Sequence, residues 1–203
     1  MRRSELVRRL ARIPLPSRPR ADLEQIATSP ELAADLLFAA VRLDGVEGRS
    51  VLDLGSGTGR LAIGAALLGA RPVYGVEIDP DLAAAARQAA REIGVEVEFL
   101  EGDVRGFGER VDLGLMNPPF GAQRAHADRP FWDQALSLAR RSVHAYALAD
   151  SRTFIARRAV AARAQVLEMQ PVAWELPRMF PHHTRRRVNL AVDRWAIRTE
   201  PAP

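Results

Sequence analysis

The residues best equipped for chemistry stand together at Asn117-Pro118-Pro119-Phe120. An amino group on an aromatic ring or an amide is a poor nucleophile, because its lone pair is delocalised. The Asn117 side-chain oxygen and the Pro118 carbonyl, held rigid by Pro119, can each accept a hydrogen bond from such a group. That draws the nitrogen towards tetrahedral geometry and aims its lone pair at an electrophilic carbon, a preorganisation that supplies ~3 kcal/mol per well-placed group. Phe120 can stack on the substrate plane, a contact worth roughly 1–3 kcal/mol. Neither a general base nor a metal is required, since the product cation is acidic enough to lose its proton to water. The plainer reading is that the Pro-Pro turn only ends a strand.

A second group describes a nucleoside site. Asp53-Leu54-Gly55-Ser56-Gly57-Thr58-Gly59 follows an apolar run and precedes a helical pattern, and its glycines let the backbone turn sharply and approach a ligand closely. The spacing is G-x-G-x-G rather than the dinucleotide G-x-G-x-x-G, which favours a cofactor lacking a pyrophosphate. Glu77 ends the next apolar run, where a carboxylate can accept from both hydroxyls of a ribose. Asp103 follows the third run and can accept from the exocyclic amine of adenine, with Ile78 and Val104 as apolar faces for the ring. Taken singly, each carboxylate reads as a cap or a solvated loop residue. Three of them at successive strand ends around a glycine loop read as a site.

These residues need a frame. Short apolar runs at Ser50–Leu54, Val73–Ile78, Val95–Leu100, Val111–Met116 and Val143–Leu148 read as buried parallel strands. Helical patterns lie at Gly59–Leu68, Pro80–Ile93, Phe131–Arg141 and Thr153–Ala164, giving the alternation of a doubly wound α/β sheet with helices on both faces. Pro30–Arg42 is a further helix, with Ser29 as N-cap. Gln165–Leu176 and Arg187–Ile197 read as an antiparallel pair at the sheet edge. Ahead of all this, Ser4–Ala11 can form a short helix followed by a Pro-rich strap, and the first twenty residues hold seven Arg against one acid.

Composition removes other chemistries. At 203 residues the chain is about one domain. It has no Cys and no Lys, so all 29 basic residues are Arg. That excludes disulfides, thiolate nucleophiles, Schiff bases and a P-loop lysine. Carbon-5 cytosine methylation, which uses a Cys, and the Lys-centred ribose methylation tetrad are excluded with them. The net charge of +4 points to an anionic partner, nucleic acid first. No apolar run is long enough to cross a bilayer, so no membrane partner and a cytoplasmic location are expected.

Taken together, the glycine loop, Glu77, Asp103 and Asn-Pro-Pro-Phe resemble the class I S-adenosylmethionine methyltransferases that modify planar amino groups. Leu23-Glu24-Gln25 with Thr28, the stretch Ile63 to Ala70, Met116 to Gly121 and His183-Thr184-Arg185-Arg186-Arg187-Val188 resemble the methyltransferase-like protein five family, whose members methylate adenosine N6 in small-subunit ribosomal RNA. The resemblance implies a Rossmann-like, seven-stranded, mostly parallel sheet with an antiparallel edge hairpin. It divides the chain into a basic helix and strap over 1–28 and a methyltransferase domain over 29–203. It assigns Gln25 and Thr28 to the methionine end of S-adenosylmethionine, Asp53, Gly55, Gly57, Thr58, Gly59 and Arg60 to the loop, and Glu77, Ile78, Asp103 and Val104 to the adenosine. Asn117 to Phe120 would hold the target base. No metal is expected, and a small zinc-binding activator protein is suggested as partner.

Arg185, Arg186 and Arg187, with His183, could clamp the phosphates beside a flipped adenosine, although a charge run is ordinarily a solvated face. The residues alone leave adenine N6, guanine N2, cytosine N4 and the side-chain amide of protein glutamine as acceptors. A non-catalytic cofactor-binding RNA scaffold is a different class of reading, which the complete Asn117 motif argues against.

Overall fold

The computed structural model describes residues 1–16, 20–121, 126–177 and 187–199. Seven strands form one sheet: β1 Val51–Leu54, β2 Val73–Glu77, β3 Glu98–Glu101, β4 Val111–Met116, β5 Ala139–Leu148, β6 Gln165–Pro177 and β7 Arg187–Arg198. Their order is β3-β2-β1-β4-β5-β7-β6, with every pair from β3 to β5 parallel and the β5–β7 and β7–β6 pairs antiparallel. This is the expected Rossmann-like architecture with its antiparallel edge hairpin. The chain reverses its direction of travel across the sheet between β1 and β4, and the crevice beside such a switch is where sheets of this kind bind ligands.

Among the described residues, six α-helices accompany the sheet: α1 Arg3–Leu10, α2 Pro30–Asp44, α3 Arg60–Leu67, α4 Pro80–Ile93, α5 Arg129–Leu138 and α6 Arg152–Ala161. Their ends follow the local chemistry. Ser29 Oγ accepts from Leu32 N at the start of α2, and Asp79 Oδ1 accepts from Asp81 N and Leu82 N at the start of α4, each helix having Pro at its first position. Gly94 closes α4 in the left-handed region at φ 79°. On one side of the sheet α1, α2, α3 and α4 share a core in which Leu6, Leu10, Leu36, Leu37 and Ile63 are fully buried. On the other, α5 and α6 close over Trp132, Val143 and Ile155.

Several boundaries differ from the sequence expectation, among them the end of α6, which stops at Ala161 and not Ala164. The helical pattern Phe131–Arg141 instead ends at Leu138, and β5 begins at Ala139. Ala139 is drawn into the parallel ladder opposite Val111, so cross-strand pairing prevails over the helix propensity of Ala139 to Arg141. The strand expected from Val95 starts at Glu98, where the pairing with Tyr74 begins.

Candidate active site

The first strand delivers the glycine loop by ending abruptly. Gly55 N and Ser56 N both donate to the Val76 carbonyl, at 2.9 and 3.0 Å, which tucks the loop over the end of β2. Gly59 precedes α3 at φ 85°, and a Cβ there would lie 2.7 Å from the Phe99 ring. Gly57 is different: at φ 54° its missing Cβ would meet nothing within 4 Å, because that direction is open cavity.

That cavity measures about 350 Å³, within the range usual for small-molecule sites. Four successive strand ends line it, through Gly55, Gly57 and Thr58 after β1, Glu77 and Ile78 after β2, Asp103 and Val104 after β3, and Asn117 and Pro119 after β4. The N-terminal strap forms a further wall, from Asp22 to Ala27, and Phe131 at the start of α5 completes it. A smaller recess of about 50 Å³ adjoins it, lined by Thr28, Asp53, Arg60 and Asn117 among others.

Glu77 is 6% exposed, with Oε2 accepting from Gly57 N at 2.7 Å and Oε1 from Asp79 N at 2.9 Å. Burial pushes its carboxyl above the usual range, and these backbone donors pull back against that shift. A carboxylate has about four acceptor positions, so these donors leave acceptor capacity for an incoming hydroxyl. Asp103 is ionised more firmly. Arg105 forks onto it through Nε at 2.9 Å and Nη2 at 2.6 Å, holding the carboxyl down at about 2. Beside them Ile78 stands 53% exposed, a large apolar side chain left for a flat partner to cover.

Asn117 carries the most telling geometry. Its Nδ2 donates to Thr28 Oγ1 at 3.0 Å and to the Ile26 carbonyl at 3.3 Å. Its Oδ1 is buried and has no partner among the described residues. A buried acceptor without a donor costs about 1–3 kcal/mol, and a donor entering the cavity at this point would relieve it. Pro118 is buried. Phe120 is half-buried, meeting the Trp174 ring edge-on at 5.6 Å, and Trp174 in turn meets Tyr146 at 5.0 Å.

Several expected residues turn out to have work within the protein. Gln25 lines the cavity, but its amide accepts from Arg20 N at 2.7 Å and donates to Asp79 Oδ2 at 2.8 Å, tying the strap to the start of α4. Arg60, 6% exposed, donates to the Thr28 carbonyl at 2.7 Å and the Ile13 carbonyl at 2.8 Å, so its guanidinium grips the strap and stays out of the larger cavity. Asp53 borders only the recess, and Gly59, Pro118 and Phe120 border neither space. His183, Arg185 and Arg186 lie outside the described residues, and Arg187 is the first residue of β7. Asp79, Trp174 and Phe131 were not singled out for the site from sequence. Asp79 carries an N-cap signature and nothing that announces Gln25, while the two aromatics read as ordinary core.

Among the described residues, no group of three or more His, Cys, Asp or Glu could hold a metal, and no helix is long and apolar enough to cross a membrane.

Comparison with known proteins supplies an independent view. Residues 51–145 match the model of a methyltransferase domain family. An uncharacterized protein of Methanocaldococcus jannaschii is 36% identical over 86% of this chain and 84% of its own. The rRNA N(6)-adenosine-methyltransferase METTL5 of Danio rerio is 30% identical over 86% of this chain and 88% of its own. The crystal structure of a candidate RNA methyltransferase from Pyrococcus horikoshii superposes with a TM-score of 0.91 at 34% identity, over 99% of both chains. A release factor glutamine methyltransferase of Deinococcus radiodurans is 34% identical, but over 60% of this chain and 49% of its own.

Proposed function

We propose a function from one premise, that this chain belongs to the rRNA N6-adenosine methyltransferase family represented by METTL5: it transfers a methyl group from S-adenosylmethionine to N6 of an adenosine in RNA, with small-subunit ribosomal RNA as the substrate. The observation that carries the chemistry is the buried Oδ1 of Asn117 beside the cavity, partnerless among the described residues.

The residues fit the cofactor. Gly57 opens the floor of the cavity, Glu77 keeps acceptor capacity for a ribose hydroxyl, and Asp103 offers an anionic edge to the adenine amine, with exposed Ile78 against the ring. When bound, the cofactor supplies an electrophilic methyl on a sulfonium. Asn117 Oδ1 and the Pro118 carbonyl accept from the substrate amine and localise its lone pair. Phe120, backed by Trp174, offers a face for the flipped base. The proton released from N6 leaves to solvent. A small zinc-binding activator protein, as the sequence resemblance suggests, and a cytoplasmic site of action belong to the same proposal.

The glutamine reading is weaker, because its relative matches only part of both chains whereas the adenosine methyltransferases match most of both. The test is incubation of the purified chain with labelled S-adenosylmethionine and undermodified small ribosomal subunits, followed by nucleoside analysis. N6-methyladenosine should appear with the wild type and fall at least ~100-fold with Asn117→Ala, while cofactor affinity stays. Label entering release factor and not rRNA would overturn the assignment.

A further inference from the structure

We propose that Thr28 is a positioning residue for this reaction: its hydroxyl holds one hydrogen of an Asn117 amide whose way round is set by the Ile26 carbonyl. The proposal rests on the reading of Asn117 as acceptor for the substrate amine. A primary amide has two orientations, differing by a half-turn, that exchange its nitrogen and oxygen. Only one presents an acceptor to an incoming amine. The other presents NH2 to NH2, donor against donor.

The strap decides between them. Nδ2 carries two hydrogens, and the protein supplies two acceptors for them, Thr28 Oγ1 at 3.0 Å and the Ile26 carbonyl at 3.3 Å. Both donors are thereby satisfied inside the protein, and Oδ1 alone is left, buried and without a partner among the described residues. With the amide reversed, Oδ1 would face the Ile26 carbonyl, oxygen against oxygen. Thr28 is itself fixed, being 9% exposed with its own carbonyl held by Arg60 Nη1 at 2.7 Å. The orientation of the reacting amide is therefore set by the Ile26 carbonyl, 91 residues upstream in a segment outside the sheet, and Thr28 holds the amide there.

The experiment compares Thr28→Val, which keeps the shape and removes the acceptor, with Thr28→Ser, which restores it. One N–H of a buried amide is left unpaired in the valine variant, so kcat should fall ~10–100-fold. KM for RNA should stay within about two-fold of wild type, any change in calorimetric affinity for S-adenosylmethionine should be smaller than the loss in kcat, and the serine variant should recover the rate. In parallel, the Asn117 side-chain NH2 resonances of 15N-labelled protein, assigned by their loss in Asn117→Asp, should shift and exchange faster with water in Thr28→Val and return in Thr28→Ser. Unchanged resonances, or a defect confined to cofactor affinity, would overturn the proposal. A wild-type chain that methylates no RNA would instead defeat the assigned reaction, and the resonances would still decide the role of Thr28.

Discussion

At Asp53 the end of β1 and the start of α3 meet on one carboxyl group. Oδ2 accepts from Ala62 N at 3.0 Å, while Oδ1 is buried with no partner among the described residues. Burial pushes this carboxyl up to about 7, against the pull of the Ala62 donor and with help from the negative Glu77. The sign for stability follows from proton binding. An unfolded Asp loses its proton near pH ~4, so between there and about pH 7 the folded chain holds a proton that the unfolded chain has lost. Asp53 therefore stabilises the fold less as pH rises through that window, by roughly a few kcal/mol in all, and is flat outside it. Melting temperatures from pH 4 to 8 should show Asp53→Asn gaining on wild type as pH rises; parallel curves would mean that the carboxyl is not shifted.

The strap is the element whose role is least visible in the sequence. Strand ends and helix caps are legible, because Ser29-Pro30, Asp79-Pro80 and Gly94 act within a few residues of themselves. The glycine loop, Glu77 and Asp103 are legible for the same reason, each being a signal attached to a strand end. The strap has no periodicity, and its partners are remote: Gln25 meets Asp79 across 54 residues, and Arg60 meets Ile13 across 47. A backbone carbonyl waiting for a guanidinium leaves no mark on its own residue type. Arg60 thus looks from the sequence like a loop residue facing ligand, and only the folded chain gives its hydrogen bonds to carbonyls. Arg60→Met keeps the stem and removes both donors. Melting should drop by the equivalent of about 1.5–3 kcal/mol, with faster protease cleavage between Ile13 and Thr28. An unchanged cleavage pattern would show that the strap is secured elsewhere.

For the molecule as a whole, electrostatics and the fold divide the labour. The two cores that flank the sheet are built from aliphatic and aromatic side chains, while the net +4 charge is carried entirely by arginine on the basic side of the balance. Arg185, Arg186 and Arg187 contribute to that balance. Neutralising all three to Gln should weaken RNA binding and flatten the plot of log affinity against log salt by ~0.7–0.9 for each phosphate that the arginines had neutralised, leaving cofactor affinity unchanged. An identical slope would remove them from the interface.

The strap that walls the cavity is also the segment that steadies the Asn117 amide. Letting contents in or out by that side means dismantling the reacting centre and rebuilding it. Access by that side and alignment of the Asn117 amide are therefore coupled: displacing the strap would free Nδ2 from both of its acceptors.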